Sequence, residues 1–209
     1  MKPQEIETRS FAIIDTESGD HGFSAEQWPL VRRMIHTTAD FDYINTVRIH
    51  PRAIAAGVGA IRKGRPIFTD THMARMGIRQ ALLAATGAAV TCLITDPEVV
   101  RMAKENGTTR ALAAVDAAGD HMNGGIYVVG NAPTALLRLI AHINAGSAAP
   151  ALVIGLPVGF VNAAESKAAL LETDIPYITN LGRKGGSNVA ASVLNALAIM
   201  SQTEASPRT

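Results

Sequence analysis

A single cysteine, Cys92, stands among the 209 residues of this chain. One thiol closes no internal disulfide and builds no thiolate metal cage. It lies in the strand-like run AVTCLIT, which makes it an expected core residue rather than a nucleophile. Aromatic residues are sparse at 4%, and neither sign of charge dominates, 19 Lys and Arg facing 18 Asp and Glu. That balance argues against the basic face of a nucleic-acid binder and against the charge-rich composition of a disordered chain. No apolar run approaches the ~20 uncharged residues of a membrane span. The leading MKPQEIETRS has no signal-peptide apolar core, so a cytoplasmic protein is expected. Four chemical signatures are missing as well: GxGxxG after a strand, GxxxxGK followed by Ser or Thr, GxSxG and HExxH. Dinucleotide, nucleoside triphosphate, serine-hydrolase and zinc-protease chemistry thus lack their fingerprints. The six histidines are too scattered for a metal site, and none is expected.

What is present is apolar and periodic. Hydrophobic residues make up 47%, and a chain of this length buries ~70% of its surface on folding. Apolar, β-branched runs fall at 43–49, 66–70, 89–95, 125–131, 151–158 and 176–182. Helical spacing fills 51–63, 97–105, 109–121, 132–145, 162–173 and 187–200, with a shorter, broken segment at 71–85. Pro3 suits the first turn of an opening helix on which Ile6, Ser10, Ile13 and Ile14 fall near one face. Ser24 and Gln27 form a capping-box pattern for a second helix that runs to about Ile35. The strand runs are continuous rather than alternating, as two-sided burial in a parallel sheet requires. The spacing predicts one three-layer, doubly wound α/β domain over residues 1–200, Rossmann-like, with a mainly parallel sheet and helices on both faces. A flexible tail is expected at 201–209.

In open parallel sheets, ligands bind beyond the carboxyl ends of the strands. Three turns there are unusual. YVVGNAPTALL offers Asn131 as a cap with Pro133 in the first turn, IGLPVGFVNAAES is rich in Gly and Pro, and NLGRKGGSNVAAS leads into a helix capped by Ser187 or Asn188. Each can aim free backbone N–H groups at an anion, with glycine permitting close approach. Arg183 and Lys184 point to a carboxylate-rich ligand. Phe160, in the second of these turns, is expected to pack in the core. Asp70 and Thr71, at a strand end, are further candidates.

The end of the second helix reads RRMIHTTADFDYI, with two arginines, a histidine and two hydroxyls gathered in apolar surroundings. Together with TRSFAII (8–14), FTDTHMA (68–74), TTRALAAVD (108–116), VGNAPTALLRL (129–139), GLPVGFVNAAESKAAL (155–170) and LGRKGGSNVAASVLNALA (181–198), it resembles the precorrin-8X methylmutase family, in collinear order over essentially the whole chain. The resemblance implies an isomerase of corrin-ring (cobalamin) biosynthesis that moves a methyl group from C-11 to C-12 of a tetrapyrrole. It implies a homodimer with no cofactor of its own, any cobalt being carried by the substrate, and hand-off to other corrin-pathway enzymes. HTTADFDY, TDT and RKGGSNVAA resemble the branch acting on cobalt-precorrin-8 to give cobyrinate. The alternatives are the same shift on metal-free precorrin-8X, giving hydrogenobyrinate, and a non-catalytic tetrapyrrole carrier.

The family match assigns the acid–base role to His36. Physical chemistry gives a separate reason: a methyl shift within a conjugated ring needs no nucleophile, only a biased π-system, and histidine can hold and return a proton near neutral pH. A position near a helix C-terminus favours its charged form. Arg33, one turn earlier on the same face, is a candidate grip for a substrate carboxylate. Arg32 points away as an outward charge. Thr37 either donates to a carboxylate or caps the helix end, as does Thr38. Asp40 and Asp42 are expected to be structural, paired with Arg or a backbone amide. The match adds Ser10 and Arg110 as substrate contacts, and the turns add Asn131, Lys184 and Ser187.

Overall fold

A computed structural model of the chain describes residues 2–202. Helix α1 (Pro3–Ser18) opens it with Pro3 in the first turn. Ile14 of that helix is buried, while Ile6 and Ile13 stay half exposed. The Ser24–Gln27 capping box closes reciprocally: the Ser24 amide donates to Gln27 Oε1 and the Gln27 amide to Ser24 Oγ, each at 3.2 Å. Helix α2 (Trp28–Thr38) follows and turns Leu30, Val31, Met34 and Ile35 inward. The run at 43–49 divides into a helical turn, α3 (Tyr43–Thr46), and a short strand, β1 (Val47–Ile49). The Asp42 carbonyl explains the division, because it accepts from the amides of Asn45 and Thr46 and from the Thr46 hydroxyl. Local bonds there replace a ladder.

The remaining elements are α4 (Ala53–Arg62), β2 (Ile67–Thr69), α5 (His72–Gly77), β3 (Val90–Thr91), α6 (Pro97–Glu105), α7 (Arg110–Ala118), β4 (Ile126–Val129), α8 (Pro133–Asn144), β5 (Leu152–Gly155), α9 (Ala163–Leu171), β6 (Tyr177–Asn180) and α10 (Ser187–Gln202). The 89–95 run supplies only the two residues of β3, an edge strand, since the chain turns towards α6 through an Asp96 amide bond to the Leu93 carbonyl. Cys92 is consequently half-buried rather than a core residue. Ser201 and Gln202 belong to α10, not to a tail; the expected tail beyond them lies outside the described residues.

The six strands pair in the order β1-β6-β5-β4-β2-β3, all parallel except the β1–β6 pair. Alternate residues of the central strands feed two cores. Ile126 and Val128 of β4 join Leu152, Ile154 and Ile178 beneath α2, α4 and α10. Tyr127 and Val129 join Phe68 and Val153 beneath α7, α8 and α9. Helix α6 packs outside α7 through Val99 and Ala103. This is the three-layer arrangement expected of a sheet buried on both faces.

The carboxyl edge is locked from within. Asp70, just after β2, is fully buried, and its carboxylate accepts from the amides of Gly130 (2.9 Å), Asn131 (2.8 Å) and Ala132 (2.7 Å). Burial pushes its carboxyl above the ordinary range, with the three amides acting the other way. Beside it, a Cβ on Gly130 would lie 2.5 Å from Ser187 Cα, so only glycine lets α10 start this close. Asp70→Ala would leave three amides without their partner, two of them buried, and is expected to lower unfolding stability by about 3–5 kcal/mol. Asp70→Asn, which keeps one acceptor oxygen, should lose roughly half of that. Urea unfolding reads both; an unchanged midpoint for the alanine variant would show that the amides find other partners.

Candidate functional site

The last turn of α2 carries the central residue. Its inward face fixes Arg32, Arg33, His36 and Thr37 outward, and Ala39 ends the helix in the left-handed region (φ 54°), its amide donating to the Ile35 carbonyl at 2.7 Å. The exposed His36 ring meets Phe11 of α1 edge-on, with centroids 5.1 Å apart. It lines a cleft of about 300 Å³ together with Ser10, Ile13, Ile14 and Phe41. The structure therefore brings Ser10 and His36 to one apolar-walled hollow between α1 and α2.

The neighbouring polar groups are less free than the sequence implied. Arg33 pairs with Glu7 (3.0 Å) and lies 5.1 Å from the Phe11 ring centre, so a substrate carboxylate would compete with Glu7. Arg32 is bound likewise, to Asp15 at 2.7 Å and with its guanidinium 4.4 Å from the Phe11 ring centre. The Thr37 hydroxyl donates to the Arg33 carbonyl and the Ser10 hydroxyl to the Ile6 carbonyl. A hydroxyl has one hydrogen, so neither donates to a ligand in this geometry. Thr38 likewise donates to the Met34 carbonyl.

At the carboxyl edge, Asp70 already fills the anion seat expected at Gly130–Ala132, and what Asn131 offers outward is an exposed side chain. Ser187 is a tie rather than an open donor: it is buried, with its hydroxyl 2.8 Å from that of Thr71, which caps α5. Lys184 is also engaged, at 2.6 Å from Asp40 and 3.1 Å from Asp42, and so joins the 181–186 loop to the end of α2. The two aspartates are structural, as expected, but their partner is this lysine along with the Asp42 amide. Arg110 is exposed at the start of α7, where Thr109 reaches Thr134 of α8 at 3.1 Å and so sets it beside the Asn131 turn.

Two features escaped the sequence reading. Phe160 is 84% exposed and Val161 76%, so the β5–α9 loop presents an apolar lip rather than core; the Arg183 guanidinium lies 5.4 Å from the Phe160 ring centre. The loop cannot fold inward because it is held flat against its neighbour: Gly159 donates to the Arg183 carbonyl, Gly186 donates to that of Leu156, and a Cβ on Gly185 would sit 2.3 Å from Leu156 O. The second feature is Lys167, wholly buried under the same loops. Its place in the inward series Ala163, Ser166, Lys167, Leu170 was a readable signal. Among the described residues, no three His, Cys, Asp or Glu side chains gather to hold a metal ion.

The Lys184 link has a pH signature. Its hydrogen bond to Asp40 holds that carboxyl below its ordinary range, against the effect of burial. A carboxyl lowered in the folded state stabilises above its unfolded value, and that contribution is lost as pH falls through the lowered one. Lys184→Met is expected to lower the urea midpoint at pH 7, with the two curves converging as pH falls below the ordinary carboxylate range. Identical midpoints at pH 7 would show that the link contributes nothing.

Comparison with known proteins places this geometry. The family described as CbiC, precorrin-8X methylmutase, matches residues 5–200. A cobalt-precorrin-8 methylmutase of Priestia megaterium is 46% identical over 97% of this chain and 90% of its own. One of Leptospira interrogans is 45% identical, covering 95% and 94%. The crystal structure of a precorrin-8x methyl mutase from Thermus thermophilus agrees at a TM-score of 0.88 with 47% identity, covering 95% of this chain and 96% of that one. Sequence and backbone match nearly end to end in each case, and on both grounds the chain belongs to the precorrin-8X methylmutase family.

Proposed function

We propose that this protein is an isomerase that moves a methyl group from C-11 to C-12 of cobalt-precorrin-8, yielding cobyrinate, with His36 as its acid–base residue. The observation that carries the reading is the position of His36, exposed on an apolar-walled cleft at the last turn of α2, in a chain of this family. An imidazole can hold and return a proton near neutral pH. Delivered to a ring atom, that proton makes the migration origin electron-poor. The bond from the methyl to C-11 then breaks as the bond to C-12 forms, the ring's double bonds shift, and the proton returns to His36. Composition is unchanged throughout, so the reaction calls for no oxidant, reductant or cofactor, and any cobalt travels as part of the substrate.

The macrocycle is flat and apolar with acetate and propanoate arms at its rim, and the surfaces here suit both parts. Phe160 and Val161 offer apolar contact, while Arg110 and Arg183 are exposed cations. Ser10, Thr37, Asn131 and Ser187 would then act mainly by shaping the walls, and Arg33 and Lys184 by exchanging carboxylate partners. A homodimer is part of the proposal, since half-exposed Ile6 and Ile13 beside the cleft remain for a second copy to cover. So are a cytoplasmic location and hand-off to later corrin-pathway enzymes. The cobalt substrate is favoured by the names of the relatives at 45–46% identity. The Thermus thermophilus protein's name favours the metal-free substrate as the second reading.

His36→Ala is expected to lower the turnover number about 10²–10⁴-fold while leaving ring binding nearly intact. Wild type and variant would each be given cobalt-precorrin-8 and metal-free precorrin-8X without oxygen, with NMR following the methyl because mass cannot see an isomerisation. Product from the cobalt substrate, lost in the variant, supports enzyme and branch together. Product only from the metal-free substrate selects the second reading. Tight binding without product from either would replace the isomerase by a carrier.

A further inference from the structure

Lys167 lies on the inward face of α9 with none of its side chain exposed. Its ammonium donates to Asn180 Oδ1 (3.2 Å) and to the Lys184 carbonyl (2.5 Å). The Asn180 amide group in turn donates to the carbonyls of Leu181 (3.1 Å) and Lys184 (3.0 Å). The turn after β6 is thus gripped from beneath by one cation and one amide. Its outer face carries Arg183 and Lys184, both exposed.

A buried charge is normally answered by an opposite one. Lys167 has only neutral oxygens. Of the charged groups on the elements around it, Glu165 of α9 is exposed, Arg138 and His142 of α8 pair with Asp116, Lys184 lies between Asp40 and Asp42, and Arg183 lies over Phe160. Burial makes its ammonium easier to deprotonate. We propose that Lys167 is a positioning residue for an acidic arm of the substrate: it fixes the 181–184 turn from below and lends it a positive charge whose own hydrogen-bond acceptors are neutral oxygens. The inference rests on the tetrapyrrole polyacid reading above and names the loop that receives one arm.

Charge and shape can be separated by pH. Burial lowers the Lys167 ammonium to about 8. Above that the neutral amine still has two N–H groups for its two acceptors, so the turn persists while its charge disappears. A carboxylate bound on the turn favours the ammonium, so binding near and above pH 8 draws in a proton. Lys184 is held above its ordinary value by Asp40 and Asp42, and arginine stays charged, so neither titrates in that window.

Calorimetry with cobyrinic acid in two buffers of different ionisation enthalpy measures that proton. Wild type is expected to take up more than about half a proton at pH 8.5, and Lys167→Met about that much less. In turnover of cobalt-precorrin-8 at pH 7, Lys167→Met and Lys167→Gln should raise KM about tenfold with kcat within about twofold, a split that general loosening of the fold would not give. Equal uptake in wild type and variant, or equal KM, overturns the proposal. If neither variant folds, absence of uptake by wild type at pH 8.5 overturns it alone. A wild type that neither binds nor turns over the corrinoid would overturn the activity reading itself, and this inference with it.

Discussion

A helix that starts at the end of a parallel strand leaves backbone amides pointing into the space where a ligand would sit, and burial forbids leaving them unanswered. In this fold Asp70 answers three of them at the start of α8. The side chain comes from β2 and the amides from the turn after β4, so one carboxylate joins two strands and a helix. Thr71, the next residue, ties the start of α10 through Ser187. The carboxyl edge is therefore stiff before any ligand arrives, and its most anion-attracting spot is already occupied. Ligand acids are left to the outer loops and helix ends.

Those outer cations are mostly mated as well. Arg32 with Asp15, Arg33 with Glu7 and Lys184 with Asp40 and Asp42 are pairs at or near the surface, where such links contribute little to stability. Under the proposed function, weak pairs would suit a site for a polyacid. They hold long side chains in place and keep the empty site from repelling or trapping itself, and an incoming carboxylate can replace the protein's own at small net change. Phe11 organises this region, with two guanidiniums and the His36 ring packed around it.

Much of the architecture was legible in the sequence because the signal was redundant. Continuous apolar runs gave β4, β5 and β6, whereas the capping box closes a turn just ahead of α2, which starts at Trp28 and runs past Ile35 to Thr38. The family resemblance marked His36, while the Ser10–His36 cleft waited on the structure. What stayed hidden was partnership. Periodicity could not show that Asp42 would draw 43–46 into a helical turn, that Asp70 would take the amides meant for a ligand, or that Ser10 and Thr37 would turn their hydroxyls back on their own helices. These outcomes depend on which group lies nearest in three dimensions. Phe160 misled for a related reason: an aromatic among apolar residues suggests core, but the backbone contact at Gly185 keeps its loop outside.

The position of α10 has a consequence for how the chain comes into being. This helix fills the middle of one face, packing its Val189, Leu194 and Leu197 series among α2, α4 and α5, and β1 finds its strand partner only in β6. The first quarter of the polypeptide thus waits for the last. At about 5–20 residues per second, the ~150 residues in between leave those apolar surfaces uncovered for roughly 8–30 s. During that interval the growing chain is a client for holding chaperones, and a chain broken off before α10 would be an open, adhesive product rather than a smaller enzyme.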